Sequence, residues 1–248
     1  MPNIRQWINK LYYTPKIPRN LVNLDFYVSR LNAGQPFSFS RFGDGEWSAM
    51  LGKAGANCDG HEYFPEMAKR LRDAVITSSD YFYSIQNFAI KNMGAQIYRF
   101  LKKNKVCLTW YNSDVFHYAN IAGELNPLVK ALRTKNVVMV GPSYLRKISS
   151  MLFEYKEYIE IPGNNCYSAI DKIESDVLSF GKGKTGYVYA LSASMAANCI
   201  IDDCFKELGK TNWMIDFGSL WDIYAGVKSR SVYNNEGWEE KIKRNCAD

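Results

Sequence analysis

Short apolar runs punctuated by turn residues, with amphipathic stretches between them, are the feature that most restricts what this chain can fold into. Val137–Val140 and Tyr187–Leu191 are apolar on both faces rather than alternating. Strands of that kind need cover on both sides, as in a parallel sheet packed between helix layers. Further strands are expected at Phe37–Arg41, Tyr81–Ile85, Val106–Trp110, Tyr158–Ile161 and Trp213–Phe217. Helical periodicity falls between them, at Leu21–Leu31, Trp47–Leu51, Met67–Ile76, Met93–Leu101, Asn120–Leu132, Tyr167–Leu178 and Met195–Leu208. Strands of about five residues alternating with helices predict an α/β fold, a mostly parallel Rossmann-like sheet flanked by helices. No internal repeat or linker divides the 248 residues. The expectation is one domain over 1–248, with a helical extension at 1–20 and a C-terminal tail at 229–248.

In such a sheet a ligand lies beyond the carboxyl ends of the strands. The densest chemistry there is the string Ser40-Arg41-Phe42-Gly43-Asp44-Gly45-Glu46. Gly43 and Gly45 permit a tight turn and close backbone approach by a ligand. Arg41 offers a guanidinium suited to bidentate contact with phosphate. Asp44 and Glu46 are hard oxygen donors for a divalent cation, Mn2+ or Mg2+, which would neutralise a leaving diphosphate. A bare Asp-x-Glu is common as an acidic surface turn; the whole string at a strand end favours a site.

The stretch FSFSRFGDGEWSAML resembles the signature of the GT-D-type glycosyltransferases, formerly a domain of unknown function. The resemblance extends in outline from about Phe37 to Tyr224, through VVMVGPSYLRKI, YVYALSASMAANCIIDD and WMIDFGSLWDIY. It implies a Rossmann-like single domain using a UDP-sugar and manganese. Asp44 and Glu46 would be the metal and donor motif, with Arg41 near the nucleotide. The chain departs from that pattern at Leu191-Ser192-Ala193-Ser194, where the family often has a Gly-Pro-Thr-Ala-like turn. It departs again at Asp216-Phe217-Gly218-Ser219, where Asp-x-Gly-His is frequent.

Secondary candidates are spread over other strand ends. Ser192 and Ser194 precede a helix whose N-terminus they would cap or use for phosphate. Gly141 and Ser143 form a similar turn. Asn112 ends a strand, where it could bond a sugar hydroxyl or a base; Asp216 and His61 are the candidate acid/base residues, and His61 shares a polar loop with Cys58 and Asp59. Cys58 and His61 lack the second pair that a zinc site requires.

Composition narrows the function classes. The net charge of +6 comes without a long block of like charges, which argues against a nucleic-acid binder and fits a phosphate-bearing ligand. Six cysteines without a C-x-x-C pair read as reduced thiols of a cytoplasmic protein, and no run suits a secretory signal or a transmembrane span. The expected partners are a UDP-sugar donor and a glycan or glycoprotein acceptor, with a homo-oligomer allowed. The donor sugar is expected to be glucose or another hexose. Two alternatives use the same residues: a metal-dependent phosphohydrolase or nucleotidyltransferase, and a non-catalytic nucleotide- or glycan-binding module. The absence of Walker and G-x-G-x-x-G strings argues against a P-loop NTPase or an ordinary dehydrogenase.

Overall fold

The computed structural model describes residues 3–247. Its strands are β1 (Arg19–Asn20), β2 (Ser38–Phe42), β3 (Phe82–Ile85), β4 (Trp110–Asn112), β5 (Asn136–Pro142), β6 (Tyr155–Ile161), β7 (Tyr187–Leu191) and β8 (Trp213–Asp216). They form a single sheet in the order β1-β4-β3-β2-β8-β7-β5-β6, every pair parallel. The helices are α1 (Ile4–Ile8), α2 (Leu24–Asn32), α3 (Asp44–Met50), α4 (Pro65–Thr77), α5 (Asn87–Lys103), α6 (Val115–Ala122), α7 (Asn126–Arg133), α8 (Ile170–Gly181), α9 (Ala196–Cys204) and α10 (Trp238–Cys246).

Both faces of the sheet are covered, which is why the central strands have no polar face. Along β7, Tyr189 and Leu191 enter the core under α3, α4, α5, α8 and α9. Val188 and Ala190 enter the opposite core, under α2, α6, α7 and α10. Each large side chain buried this way contributes roughly 1.5–3 kcal/mol relative to exposure.

The strand order fixes where a ligand can sit. From β5 the chain runs outward to β6, whereas from β7 it runs inward to β8. The crevice at the carboxyl ends of β5 and β7 is therefore a topological switch point. A second discontinuity lies between β2 and β8, whose pairing stops at Phe39 and Ile215. Beyond it the Asn198 side chain of α9 replaces the missing ladder partner. Its Oδ1 accepts from Arg41 N–H at 2.9 Å and its Nδ2 donates to Arg41 C=O at 2.8 Å. Asn198 is fully buried and both ends of its amide are satisfied.

Some segments differ from the sequence reading. The strand expected at Val106–Trp110 begins only at Trp110, since register with β3 starts at Tyr111 opposite Ser84. Cys107 in that segment is exposed, as is Cys58. The expected extension at 1–20 is helical from Ile4 to Lys16 and then continues into β1, which pairs with β4 at the sheet edge. The expected tail at 229–248 is core material: Tyr233 and Trp238 are buried, and buried Asn245 accepts from Leu125 N–H at 2.8 Å.

Candidate active site

β2 delivers Arg41 to the sheet's carboxyl end. Its Nε donates to the Ser113 carbonyl at 3.2 Å. Its guanidinium crosses directly over Gly218, where an added Cβ would lie 2.1 Å from Nη1. Gly218 also has φ +53, so its identity is fixed by both backbone and space.

Glu46 and Asp216 gather around this arginine. Glu46 reaches back to accept from Gly43 N–H at 2.8 Å, tying the start of α3. Asp216, at the end of β8, accepts from Gly218 N–H at 2.8 Å. Burial pushes the Glu46 carboxyl up to about 7, with the Asp216 charge adding to the rise and Arg41 opposing it. Burial likewise pushes Asp216 up to about 6 against the pull of Arg41. The two carboxyls lie within Coulombic reach of one guanidinium.

Asp44 does not join them. Residues i and i+2 of a helix lie about 200° apart, and Asp44 instead borders a crevice with Arg5, Gln6, Ser48 and Lys53. Among the described residues no three His, Cys, Asp or Glu side chains converge as a metal cage. A hard cation held mainly by phosphates needs only one or two protein carboxylates. In this arrangement Glu46 interacts with Asp216, while Asp44 borders the neighbouring crevice.

A cavity of about 280 Å3 opens at the β5/β7 switch point. Pro142 and Tyr144 follow β5, Ile161 to Gly163 follow β6, and Ser192 to Ser194 follow β7. Gly218, Ser219 and Asp222 close it after β8, with Arg230 and the loop residues Asp59 and His61 at its wall. Tyr144 donates to Asp222 at 3.0 Å. Arg230 donates to Asp59 at 2.6 Å and, through Nε, to Ser219 at 2.8 Å.

The remaining expected site residues divide sharply. Ser192 lines the cavity with a buried hydroxyl that has no partner. Ser194 lines it too, in a left-handed conformation with φ +49, accepting from Asn57 at 3.3 Å. Neither caps α9, whose N-cap is Met195. His61 Nδ1 accepts from Asn165 N–H at 3.0 Å. Burial lowers its pKa, so the neutral ring carries its proton on Nε2 and acts as a donor. Gly45 is a packing glycine, where a Cβ would press on Asn57 and Met195. Gly43 is tight against Gln86 and Glu46, and Gly141 against Leu145 and Met139. Ser143 is exposed outside the cavity. Asn112 is tied to Asp114 N–H at 3.1 Å on the β4 side, away from the cavity.

Arg230, Ser219 and Tyr144 escaped the sequence reading. The Asp-x-Gly-Ser string at 216–219 was the available signal for Ser219; nothing local marks Arg230.

Two solved structures share this architecture. One, a selenomethionine-substituted structure of domain of unknown function 1792, matches with TM-score 0.61 and 16% identity, over 89% of this chain and 83% of that one. The other is described as showing that this domain has a distinct glycosyltransferase fold. It matches with TM-score 0.62 and 17% identity, over 88% of this chain and 84% of that one. This chain shares that fold. No family model and no curated protein matches the sequence. The Arg41–Glu46–Asp216 cluster and the cavity occupy neighbouring carboxyl ends of one sheet.

Proposed function

We propose that the protein is a metal-dependent glycosyltransferase that takes a hexose from a UDP-sugar and passes it to a glycan or glycoprotein hydroxyl. The observation that carries this reading is the cavity at the switch point, with a cationic wall beside a helix N-terminus. Arg230 offers a planar fork to the donor diphosphate. The start of α9, beside Ser192 and Ser194, offers the positive end of a helix dipole. Tyr144 and the His61 Nε2–H orient the nucleotide or the sugar. The proposed anion would displace Asp59 from Arg230, exchanging one charged partner for another.

The two raised carboxyls suit proton transfer near neutral pH, where a group titrating at about 6 or 7 both accepts and releases a proton readily. Asp216 is the proposed base for the acceptor hydroxyl, and Glu46 holds the electrostatic balance with Arg41. A divalent cation, when bound by Glu46 together with donor phosphates, would supply counter-charge for the departing diphosphate. Arg41 would relieve the same charge from the other side.

The test is calorimetry with UDP, UDP-glucose and other nucleotide sugars, each with manganese and with chelator, followed by product analysis. Manganese-strengthened UDP binding and sugar transfer are expected. Tight binding of a different nucleotide with no response to UDP would overturn the donor assignment. Free phosphate or nucleotide transfer as the product would replace glycosyl transfer by the phosphohydrolase or nucleotidyltransferase reading.

A further inference from the structure

α1 continues through a wider helical turn, Asn9–Tyr13, so residues 4–13 form one continuous helical rod. The rod lies on α5 by its polar face. Buried Asn9 donates to Lys91 C=O at 2.9 Å and accepts from Ala95 N–H at 3.1 Å. Gln6 donates to Asn92 at 2.8 Å and Arg5 to Gln96 at 2.9 Å. Gly94 makes this seat, because a Cβ there would lie 3.3 Å from that of Asn9.

The apolar face is consequently turned outward. Ile4, Trp7, Ile8, Leu11 and Tyr12 recur at helical spacing and are exposed, from 43% for Ile8 to 76% for Ile4. A surface helix of a globular protein orients the other way, stripe inward. Lys16 places its ammonium 3.4 Å from the Tyr12 ring centre, so cation and aromatic share this surface. Phe88, also exposed, borders the crevice next to Arg5.

Charge is concentrated in the same place. Residues 3–24 and 81–113, which build the rod, β1, β3, β4 and α5, carry nine lysines and arginines and no aspartate or glutamate. The remainder of the chain carries 22 against 25. Lys10, Lys91, Arg99, Lys102 and Lys103 are exposed. A second copy docking through this face would bring two such cationic surfaces together, which like-charge repulsion opposes. The patch is a convex ridge of Trp, Tyr and aliphatic side chains flanked by cations. That is the chemistry of a helix lying in the headgroup region of a bilayer rich in anionic lipid.

We propose that the outward stripe of residues 4–12, with the surrounding lysines and arginines, docks the protein peripherally on an anionic membrane surface. The inference stands independently of the transfer reaction. It is distinct from membrane spanning: among the described residues no helix is long and apolar enough to cross a membrane.

The experiment is co-sedimentation of the full chain with phosphatidylcholine vesicles, with and without phosphatidylglycerol. Binding to the anionic vesicles should exceed binding to the neutral ones by at least about tenfold and should weaken at high salt, because each cation near an anionic surface is worth about fivefold. The double variant Trp7→Ser/Leu11→Ser should lose about tenfold or more of that binding at unchanged melting temperature, since both side chains are exposed. Lys102→Glu/Lys103→Glu should abolish the anionic preference without touching the stripe. Absence of vesicle binding, equal binding to both vesicles, or parental binding by the stripe variant would each overturn the proposal. So would a concentration-dependent dimer, abolished by the stripe variant, in a chain that leaves vesicles alone.

Discussion

The two halves of the sheet use their carboxyl ends differently. On the β2 side, Arg41 is held at every level: backbone by Asn198, Nε by Ser113, guanidinium over Gly218. On the β5–β8 side, loops leave a cavity whose wall contains an unpartnered Ser192 hydroxyl and a strained Ser194. The first region is charge-dense and closed; the second is open and motif-poor. The conspicuous motif therefore lies in the charged cluster beside the cavity rather than in the cavity itself.

The comparison breaks most readily at Arg41. Arg41→Ala would leave Glu46 and Asp216 coupled without a cation. Losing one partner of a buried charge cluster costs about 3–5 kcal/mol, so urea unfolding should show a loss of that order together with loss of turnover. Parental stability in that variant would mean the cluster does not depend on this charge.

Acidity sharpens it next. Glu46, raised from 4.5 to about 7, binds its proton more tightly folded than unfolded. That contribution to stability is complete below about 4.5 and is lost as pH rises through about 7; Asp216 behaves likewise between 3.8 and about 6. Glu46→Gln keeps the shape and removes the titration. It should unfold at higher temperature than the parent at pH 8, by up to about 3 kcal/mol in stability, with the gain vanishing near pH 4. A gain that is the same at both pH values would rule out this charge as its source.

On the open side, Arg230→Ala should weaken UDP binding about tenfold or more by calorimetry, as expected for loss of a charge-assisted phosphate contact. Its stability cost should stay near 1 kcal/mol, since the Asp59 pair is partly solvated. Large unfolding with unchanged UDP affinity would move Arg230 into the structural class. The smallest effect belongs to Asn112→Ala: about 1 kcal/mol of stability from the lost bond to Asp114 N–H, and less than a twofold change in UDP affinity.

Much of the sheet was legible because doubly covered strands must be continuously apolar. Tyr187–Leu191 matched residue for residue, and Asn136–Pro142 and Trp213–Asp216 within two residues. β1 has only two residues, too few to produce a period. Val106 and Leu108 alternate with exposed neighbours but have no ladder partner, so their pattern misled. α10 buries Trp238 and Asn245 within a largely charged sequence, which made it read as a tail. At the site, the position of Arg41 at a strand end followed from periodicity. The separation of Asp44 from Glu46 did not, because it depends on α3 starting at Asp44 itself. Arg230 reaches Asp59 across 171 positions, a contact that no local pattern encodes.

Asn198 has a mechanical consequence. It sits one helical turn beyond Ser194, and that turn is the stretch of chain between the cavity wall and the Arg41 backbone. The turn acts as a short strut: a displacement of the cavity wall along α9 cannot be absorbed by slack and must either move Arg41 or break the two Asn198 hydrogen bonds. One amide side chain thus joins the open half of the sheet to the closed half.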